Sequence, residues 1–203
     1  MSMSETGKRE YFNNLAPSWD ELPPMDGAEA KVRRFIAQSS IRTPCRVLDV
    51  GCGTGLLLAE ILRQWPEAEC IVELDFALEM LRQNSLKFRD RRVARLCADA
   101  MRLPLAAGSF DVVLCFGILP HLPDQKAALE QLIGVLRPGG ALAVGHLAGS
   151  RELNAFHSTL EGPVAGDFLP PGEVLSEMLK QAGAARVEVE EDPGWYFVRA
   201  EKA

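Results

Sequence analysis

The sequence VLDVGCGTG at residues 47–55 decides the fold. Its first four residues are typical of a buried β-strand. Three glycines at alternate positions follow, Gly51, Gly53 and Gly55, and residues 56–65 then carry apolar side chains at the helical period. Glycine is favoured where the backbone turns with positive φ or approaches a ligand without a Cβ in the way. The stretch therefore predicts a strand, a ligand-binding turn and a helix.

The spacing of these glycines excludes two common ligands. A dinucleotide fingerprint, G-x-G-x-x-G, would need its third glycine at the position of Leu56. A phosphate-binding loop would need Gly-Lys-Ser or Gly-Lys-Thr, and neither follows the turn. The turn is therefore neither an NAD fingerprint nor a P-loop.

Short apolar runs alternate with longer segments at helical period along most of the chain. This alternation predicts an α/β fold with an open, mostly parallel sheet and helices on both faces. The predicted strands are 46–50, 69–74, 92–97, 110–116 and 141–147, and the helices between them are 56–65, 77–88 and 124–136. Further helices are predicted at 27–38, 150–160 and 173–181, and strands 186–190 and 195–200 predict a C-terminal antiparallel hairpin.

The chain is predicted to form a single domain over residues 1–203, with three functional parts. Residues 1–40 form an N-terminal arm and helix, 41–147 the ligand-binding core, and 148–203 the remaining helices and the hairpin. Residues 11–24 are predicted to be less regular, but they carry too many large apolar side chains for a solvated tail. We therefore expect this segment to fold back over the domain as a lid.

Composition narrows the classes of partner. The 203 residues include 22 Lys and Arg against 28 Asp and Glu, which gives a net charge of −6. This balance argues against binding to nucleic acid, although basic residues cluster within 87–95, where a solvated connector is the competing interpretation. No apolar run approaches the roughly 20 residues that membrane insertion requires. We expect a small-molecule partner, and the oligomeric state stays open.

The five cysteines include no C-x-x-C pair, so the sequence predicts neither a disulfide framework nor a metal site. Four of them stand in or beside apolar runs and are predicted to be buried: Cys45, Cys70, Cys97 and Cys115. This usage of cysteine is typical of a cytoplasmic protein.

Five motifs together resemble the class I S-adenosylmethionine-dependent methyltransferases. Besides residues 47–55, the matching stretches are ELDFALEML at 73–81, ADAMRLP at 98–104, SFDVV at 109–113 and VLRPGG at 135–140. They occur in the order and at the spacing of that family over residues 47–147, about half of the chain. The resemblance implies a Rossmann-like fold with S-adenosylmethionine as cofactor and S-adenosylhomocysteine as product. It is nearest to the members that methylate quinone precursors, small amines or other metabolites.

The resemblance also implies the residues that hold the cofactor. Phe76 and Met80 would pack near the adenine, Asp99 would accept its exocyclic amine, and the backbone N–H of Ala100 would reach a ring nitrogen. Asp49 and the carbonyls near Phe116 and Gly117 would face the methionine ammonium. The remaining predicted contacts are Gly51, Cys52, Gly53 and Gly55 in the turn and Tyr11 and Trp19 in the arm. Packing in the core is the competing interpretation for Met80, and packing of the arm for Tyr11 and Trp19.

A carboxylate at the end of the second strand can accept hydrogen bonds from both ribose hydroxyls. Asp75 stands 26 residues after Asp49, close to the spacing expected of such an acid. Glu73 competes for this role, but strand alternation places it one pleat short of the strand end. Asp75 is therefore the predicted ribose ligand.

The residues that receive the methyl group follow the late strands, where this architecture places substrates. His121, His146 and His157 are the candidate catalytic bases, and a structural histidine is the competing interpretation for His121. Arg151, Asn154 and Asp167 are the candidate substrate-binding residues. Helical spacing puts Ser150, Asn154 and His157 on one face, which a solvated amphipathic helix would also show.

The predicted function is methyl transfer from S-adenosylmethionine to a small-molecule acceptor by in-line displacement. Two alternatives stay open. One is a non-catalytic protein that binds the cofactor as a sensor or as a partner subunit. The other is transfer of another group from the same cofactor family, such as an aminopropyl group.

Overall fold

The computed structural model describes residues 3–23, 27–39 and 45–203. In this part of the chain seven strands form one sheet: β1 (Arg46–Val50), β2 (Cys70–Asp75), β3 (Val93–Cys97), β4 (Phe110–Phe116), β5 (Leu136–His146), β6 (Ala184–Asp192) and β7 (Trp195–Lys202). The helices are α1 (Met3–Leu15), α2 (Ala28–Ser39), α3 (Leu58–Gln64), α4 (Leu78–Lys87), α5 (Gln125–Val135), α6 (Ser150–His157) and α7 (Gly172–Gln181). Short 3₁₀ segments cover Ala16–Glu21 and Leu119–His121.

The strand order is β3-β2-β1-β4-β5-β7-β6. Strands β1 to β5 pair in parallel, and β7 runs antiparallel to both β5 and β6. The predicted open, mostly parallel sheet with a C-terminal hairpin is confirmed. Because the chain order reverses between β1 and β4, the carboxyl ends of these two strands border a crevice, the usual ligand site of such sheets.

Side-chain alternation along the strands produces two apolar cores, one on each face of the sheet. Val47 of β1 belongs to a core that includes Phe35 of α2 and Ile61 of α3. Leu48, its neighbour in the strand, belongs to the opposite core, which α5 and α7 cover through residues such as Leu129. All five side chains are fully buried, and each burial contributes about 1.5–3 kcal/mol of transfer free energy.

Strand β5 begins at Leu136, earlier than the predicted start at residue 141. Leu136 pairs with Phe110, but the next pair in the ladder is Val112 with Ala141. Residues 137–140 therefore form a bulge in the strand, where Gly139 has a φ of 75°. The turn predicted before the fifth strand therefore lies within β5, at residues 137–140.

The N-terminal segment is more regular than the sequence predicts. Residues 11–15 belong to helix α1, and the 3₁₀ segment Ala16–Glu21 follows directly. Phe12 packs edge-on against both Trp19 and Phe76, with ring centroids 5.9 Å apart in each pair. Tertiary packing therefore supports a helix whose sequence has only a weak apolar stripe.

The burial predicted for the cysteines is wrong at Cys97, which is exposed. It lies on β3, an edge strand of the sheet, and apolar runs in an edge strand are only partly covered. Cys45 and Cys115 are buried, and Cys70 is half-buried. Among the described residues, no helix has the length and apolar character needed to cross a membrane.

Candidate functional site

The glycine turn connects β1 to α3 and forms the floor of the crevice. The backbone N–H groups of Gly51 and Cys52 both donate to the carbonyl oxygen of Leu74, at 2.7 and 3.0 Å. Gly51 has a φ of 70°, and a Cβ there would lie 2.4 Å from Cδ1 of Ile118. Glycine is therefore required at this position, both for the conformation and for the close approach.

The carboxylate of Asp75, at the end of β2, is fixed by backbone donors. Its Oδ2 accepts from Gly53 N at 2.9 Å, and its Oδ1 accepts from Ala77 N at 2.8 Å. Burial raises its pKa to about 6, although the backbone hydrogen bonds favour the ionised form. Asp75 lines the crevice, and each of its oxygens keeps a further lone pair for a ligand.

Two more buried acids lie near the turn. Asp49 lines the crevice, and its Oδ2 has no hydrogen-bond partner among the described residues. Its pKa lies well above the ordinary value because of burial and the neighbouring charges of Glu73 and Asp75. Glu73 is fully buried, accepts from Asn84 Nδ2 at 2.8 Å and has a pKa raised to about 7, mainly by burial. Asp75 lines the crevice, whereas Glu73 does not.

The crevice contains two adjoining cavities, of about 580 and 250 Å³. Four residues line both of them: Gly51, Phe76, Ile118 and His121. The larger cavity also brings together these predicted site residues: Trp19, Asp49, Cys52, Gly53, Asp75, Met80, Phe116, Gly117, His146 and His157. The smaller cavity brings together Asp99, Ala100 and Asp167. A small-molecule site is usually 300–1,000 Å³, so the larger cavity alone is of adequate size.

Four predicted site residues do not line either cavity. Gly55 packs inside the protein, where a Cβ would lie 2.8 Å from the Phe88 ring. Tyr11 packs edge-on against Phe12, and it is Phe12 that reaches the larger cavity. Helix α1 turns one of these two neighbours away from the crevice, because adjacent residues point in different directions on a helix.

The other two are Arg151 and Asn154, both on α6. Arg151 is exposed to solvent, so the structure does not bring it to the site. The Asn154 side chain donates to Leu169 O and accepts from Leu169 N, both at 2.8 Å. The polar face of α6 therefore packs inward, where it anchors the segment 158–171 that precedes α7.

A pair of histidines and one aspartate form a hydrogen-bonded group at the crevice. His121 Nδ1 lies 2.5 Å from Oδ2 of Asp167, and His157 Nδ1 lies 2.8 Å from the carbonyl oxygen of Asp167. The two rings are 5.6 Å apart. Burial opposes ionisation of Asp167, but the hydrogen bonds from His121 and Lys8 outweigh it, so its pKa lies below the ordinary value. The carboxylate is therefore ionised at neutral pH.

His146 lines the larger cavity but differs from the other two histidines. Burial, together with the nearby His121 and His157, lowers its pKa to about 3. Its Nε2 atom has no partner among the described residues. A ring this resistant to protonation is a weak base at neutral pH, which weighs against His146 as the proton acceptor. It suits a hydrogen bond to a bound molecule instead.

The histidines do not form a metal centre. Within the described ranges no three His, Cys, Asp or Glu side chains are grouped so that they could hold a metal ion. The side chains of His121, His157 and Asp167 can form hydrogen bonds and exchange protons.

Comparison with known proteins agrees with this geometry. A family profile described as "Methyltransferase domain" matches residues 47–140. A demethylmenaquinone methyltransferase of Porphyromonas gingivalis is 32% identical over 197 residues, which cover 89% of this chain and 78% of that protein. The chain belongs to the class I S-adenosylmethionine-dependent methyltransferases.

A second relative resembles this chain along most of its length, and a solved structure has the same fold. A demethylmenaquinone methyltransferase of Roseiflexus is 28% identical to this methyltransferase over 205 residues, covering 87% of this chain and 86% of the relative. A chain from a complex between the Trm112 methyltransferase activator of Haloferax volcanii and a methyltransferase superposes with a TM-score of 0.79. It is 16% identical, and the match covers 94% of this chain and 96% of that one.

The crevice of this methyltransferase fits the cofactor of its family. Two buried polar atoms without partners among the described residues, Asp49 Oδ2 and His146 Nε2, belong to residues that line the larger cavity. A Cβ built on Gly53 meets nothing within 4 Å, so a side chain there would fill space that a ligand can use. Asp75 would accept the ribose hydroxyls and Asp49 the ammonium, while Asp99 and Ala100 in the smaller cavity would contact the adenine.

Sequence reasoning missed several residues of the methyltransferase site. Lys8 and Arg9 line the smaller cavity, and Phe12 lines the larger one. The Thr54 hydroxyl donates to Asp20 at 2.6 Å, which joins the N-terminal segment to the glycine turn. Phe12 could have been found from its apolar side chain beside Tyr11. Nothing in the local sequence marks Lys8, whose partner Asp167 lies 159 positions away.

Proposed function

We propose that this methyltransferase acts on a small, uncharged and largely apolar acceptor that carries an acidic hydroxyl group. The observation that carries the proposal is the His121–Asp167 pair, 2.5 Å apart at the wall of an apolar cavity. Such a pair is a positioned base, since the carboxylate orients the imidazole and stabilises the ring once it is protonated.

The lining of the larger cavity supports an uncharged acceptor. Its walls include Leu57, Phe116, Leu153 and the exposed Phe156 at its rim. Among the described residues that line this cavity none is Lys or Arg, and its charged members are acids. An anionic acceptor would therefore be buried without a compensating cation, which is costly. Arg151, which could bind an acidic group, is outside the cavity.

The protein's part in the reaction follows from these residues. The ionised Asp167 accepts a hydrogen bond from Nδ1–H of His121, which leaves Nε2 as the ring nitrogen that takes a proton. Loss of the hydroxyl proton makes the acceptor nucleophilic at its oxygen and at the adjacent ring carbon. When bound, S-adenosylmethionine supplies an electrophilic methyl group on a sulfonium. The apolar walls exclude water and hold the acceptor in line.

The names of the relatives point to the same chemistry. The Roseiflexus and Porphyromonas gingivalis proteins are both demethylmenaquinone methyltransferases. A reduced quinone is a largely apolar ring with ionisable hydroxyls, which matches the cavity. We therefore infer that a quinol-type ring is the acceptor of this chain.

Binding of the cofactor product tests the first part of the proposal. Calorimetric titration with S-adenosylhomocysteine is expected to show micromolar affinity, with no binding of NAD. Asp75→Asn removes the charge from a hydrogen-bond acceptor and is expected to weaken binding about 10- to 100-fold. Glu177→Gln, which changes an exposed carboxylate on α7, is the matched control. Absence of binding to the parent protein would contradict the proposal.

Methyl transfer to a panel of acceptors tests the second part. The panel contains a reduced 1,4-naphthoquinone, a catechol and a primary amine, and product mass is the readout. The quinol is expected to gain one methyl group, and His121→Asn to lower kcat about 100-fold or more. Methylation of the amine alone would contradict the acceptor class. Binding without turnover on any acceptor would favour the sensor, and a heavier product would favour aminopropyl transfer.

A further inference from the structure

Lys8 and His121 share one carboxylate. The ammonium of Lys8 forms an ion pair with Oδ1 of Asp167 and donates to the carbonyl oxygen of His121 at 3.1 Å. The other carboxylate oxygen, Oδ2, holds Nδ1 of His121 at 2.5 Å. The side chains of Lys8 and Asp167 are only 15% and 9% exposed, so solvent screens this group weakly.

The helix that carries Lys8 also covers the cofactor site. Phe12, one turn along α1, packs on Phe76 with 5.9 Å between ring centroids and on the His121 ring at 5.5 Å. Further along the helix, the Asn13 side chain accepts from the backbone N–H of Glu79 at 2.9 Å. Helix α1 is therefore held against Phe76 and His121, which line both cavities.

We propose that Lys8 is a positioning residue that makes the orientation of the His121 ring depend on closure of α1 over the cofactor site. The inference rests on the proposed function, because it concerns the base assigned there. It connects helix α1, which covers the cofactor site, with His121, the base proposed to act on the acceptor.

The contacts of Asp167 explain how the link works. Asp167 lies in the segment 158–171, outside any helix or strand, and His157 holds its carbonyl oxygen. Because His157 holds only the backbone of Asp167, the carboxylate can rotate unless each of its two oxygens has a hydrogen-bond partner. Lys8 fixes one oxygen and thereby directs the other at His121 Nδ1. Without Lys8 the carboxylate can turn, and the His121 ring can then exchange its two nitrogens between donor and acceptor roles.

Other charged and titratable groups also face His121 and could affect its hydrogen bond. Two of them, Lys8 and Arg9, are on α1 and line the smaller cavity together with His121. At the strand ends, the groups that line one or the other cavity are Asp49, Asp75, Asp99 and His146. Helix α6 contributes Glu152 and His157, which line the larger cavity. Among these, Lys8 contacts both Asp167 and the backbone of His121. The effect of Lys8 is therefore separable from that of general charge.

The test uses the full chain labelled with ¹⁵N-histidine and saturated with S-adenosylhomocysteine. The readout is the Nδ1–H resonance of His121, assigned by its loss in His121→Asn. Lys8→Met removes the contact, and Lys8→Arg restores a cation. Lys180→Met is the matched control, since it breaks an exposed ion pair with Glu177. Affinity for S-adenosylhomocysteine is measured on the same proteins.

We expect a low-field Nδ1–H resonance, protected from exchange, in the parent protein, Lys8→Arg and Lys180→Met. Lys8→Met is expected to lose it and to bind S-adenosylhomocysteine about three- to tenfold more weakly. A protected resonance in Lys8→Met equal to that of the parent would overturn the proposal. If Lys8→Met fails to fold, Lys8→Gln replaces it with the same expected loss.

The two proposals fail in different ways. If S-adenosylhomocysteine does not bind the parent protein, the proposed function fails, and the resonances of the parent and Lys8→Met are then compared in the protein alone. If S-adenosylhomocysteine binds and Lys8→Met keeps the protected resonance, the positioning role of Lys8 fails while the proposed function stands.

Discussion

Asp75 holds two backbone N–H groups and still faces the cavity, so its ionisation state matters for both loop structure and ligand binding. Burial raises its pKa to about 6. A protonated Asp75 is a weaker acceptor for ligand hydroxyls, because charge-assisted hydrogen bonds are roughly twice as strong as neutral ones. Cofactor affinity should therefore depend on pH near this value.

We predict that affinity for S-adenosylhomocysteine falls toward a limiting slope of about tenfold per pH unit as the pH drops below about 6. Calorimetry from about pH 5 to about pH 8 measures this dependence. Asp75→Asn is expected to flatten the profile, whereas Glu73→Gln keeps the slope. An unchanged slope in Asp75→Asn would assign the titration to another group.

Glu73 provides a prediction about stability. Burial raises its pKa from 4.5 to about 7, so the folded protein binds a proton that the unfolded chain releases between these values. The stability that this proton provides is fully present below pH 4.5 and is lost as the pH rises through about 7. We expect the free energy of unfolding to be larger at pH 5 than at pH 8, by roughly 1–3 kcal/mol.

Urea unfolding of the parent protein and of Glu73→Gln measures this contribution of Glu73. The variant cannot ionise at this position, so its stability should change less between pH 5 and pH 8. Glu177→Gln, on the surface of α7, should follow the parent. Equal pH dependence in all three proteins would contradict the role of Glu73.

The sequence predicts residues of the glycine turn better than residues of the acceptor side. Asp49, Gly53 and Asp75 follow from a local pattern, because the turn and the two strand ends have fixed spacing. The His121–Asp167 contact joins residues 46 positions apart, and no local pattern specifies it. The position of Arg151, which is exposed and outside both cavities, could not be predicted for a similar reason: helical spacing does not say which face of α6 turns inward.

Among the elements, α6 determines the path of the segment 158–171. Asn154 makes two hydrogen bonds to the backbone of Leu169, a fully buried residue. The ring of His157, one turn further, donates to the backbone of Asp167. The segment that supports the proposed base is therefore held by helix side chains rather than by a strand or helix of its own.

We predict that Asn154→Ala lowers the free energy of unfolding by about 1–3 kcal/mol, because it leaves a buried N–H and C=O of Leu169 unpaired. Hydrogen exchange in residues 160–170 should accelerate more than exchange in the sheet. Ser158→Ala, which changes an exposed hydroxyl on the next turn, should leave both measurements close to those of the parent. Exchange that stays slow in Asn154→Ala would show that other contacts hold the segment.

Elements of the sheet were predictable because period-two and period-3.6 patterns are strong where burial is complete. Strand β1 has the predicted bounds, and β4 does as well. Helix α1 was not predicted, since its helical state depends on the packing of Phe12 against residues that are distant in sequence. Cys97 shows the opposite error. Its apolar neighbours predict burial, but the residue is exposed because it lies on an edge strand of the sheet.

At the scale of the whole molecule, the sheet places the polar machinery at one edge. The carboxyl ends of β1, β2, β4 and β5 all border the crevice, and they carry Asp49, Asp75, Phe116 and His146 there. Two segments that are distant in sequence lie against this edge. One is helix α1, and the other is the segment 158–171. The ion pair between Lys8 and Asp167 connects these two segments.

Because the two cavities share a wall, one inhibitor could occupy both. Gly51, Phe76, Ile118 and His121 line each cavity, so the two cavities lie against the same four residues. An adenosine analogue joined by a short tether to an apolar ring would place its second half at high effective concentration once the first half is bound. Such a bisubstrate compound should bind far more tightly than either fragment, and its selectivity among methyltransferases would come from the acceptor half.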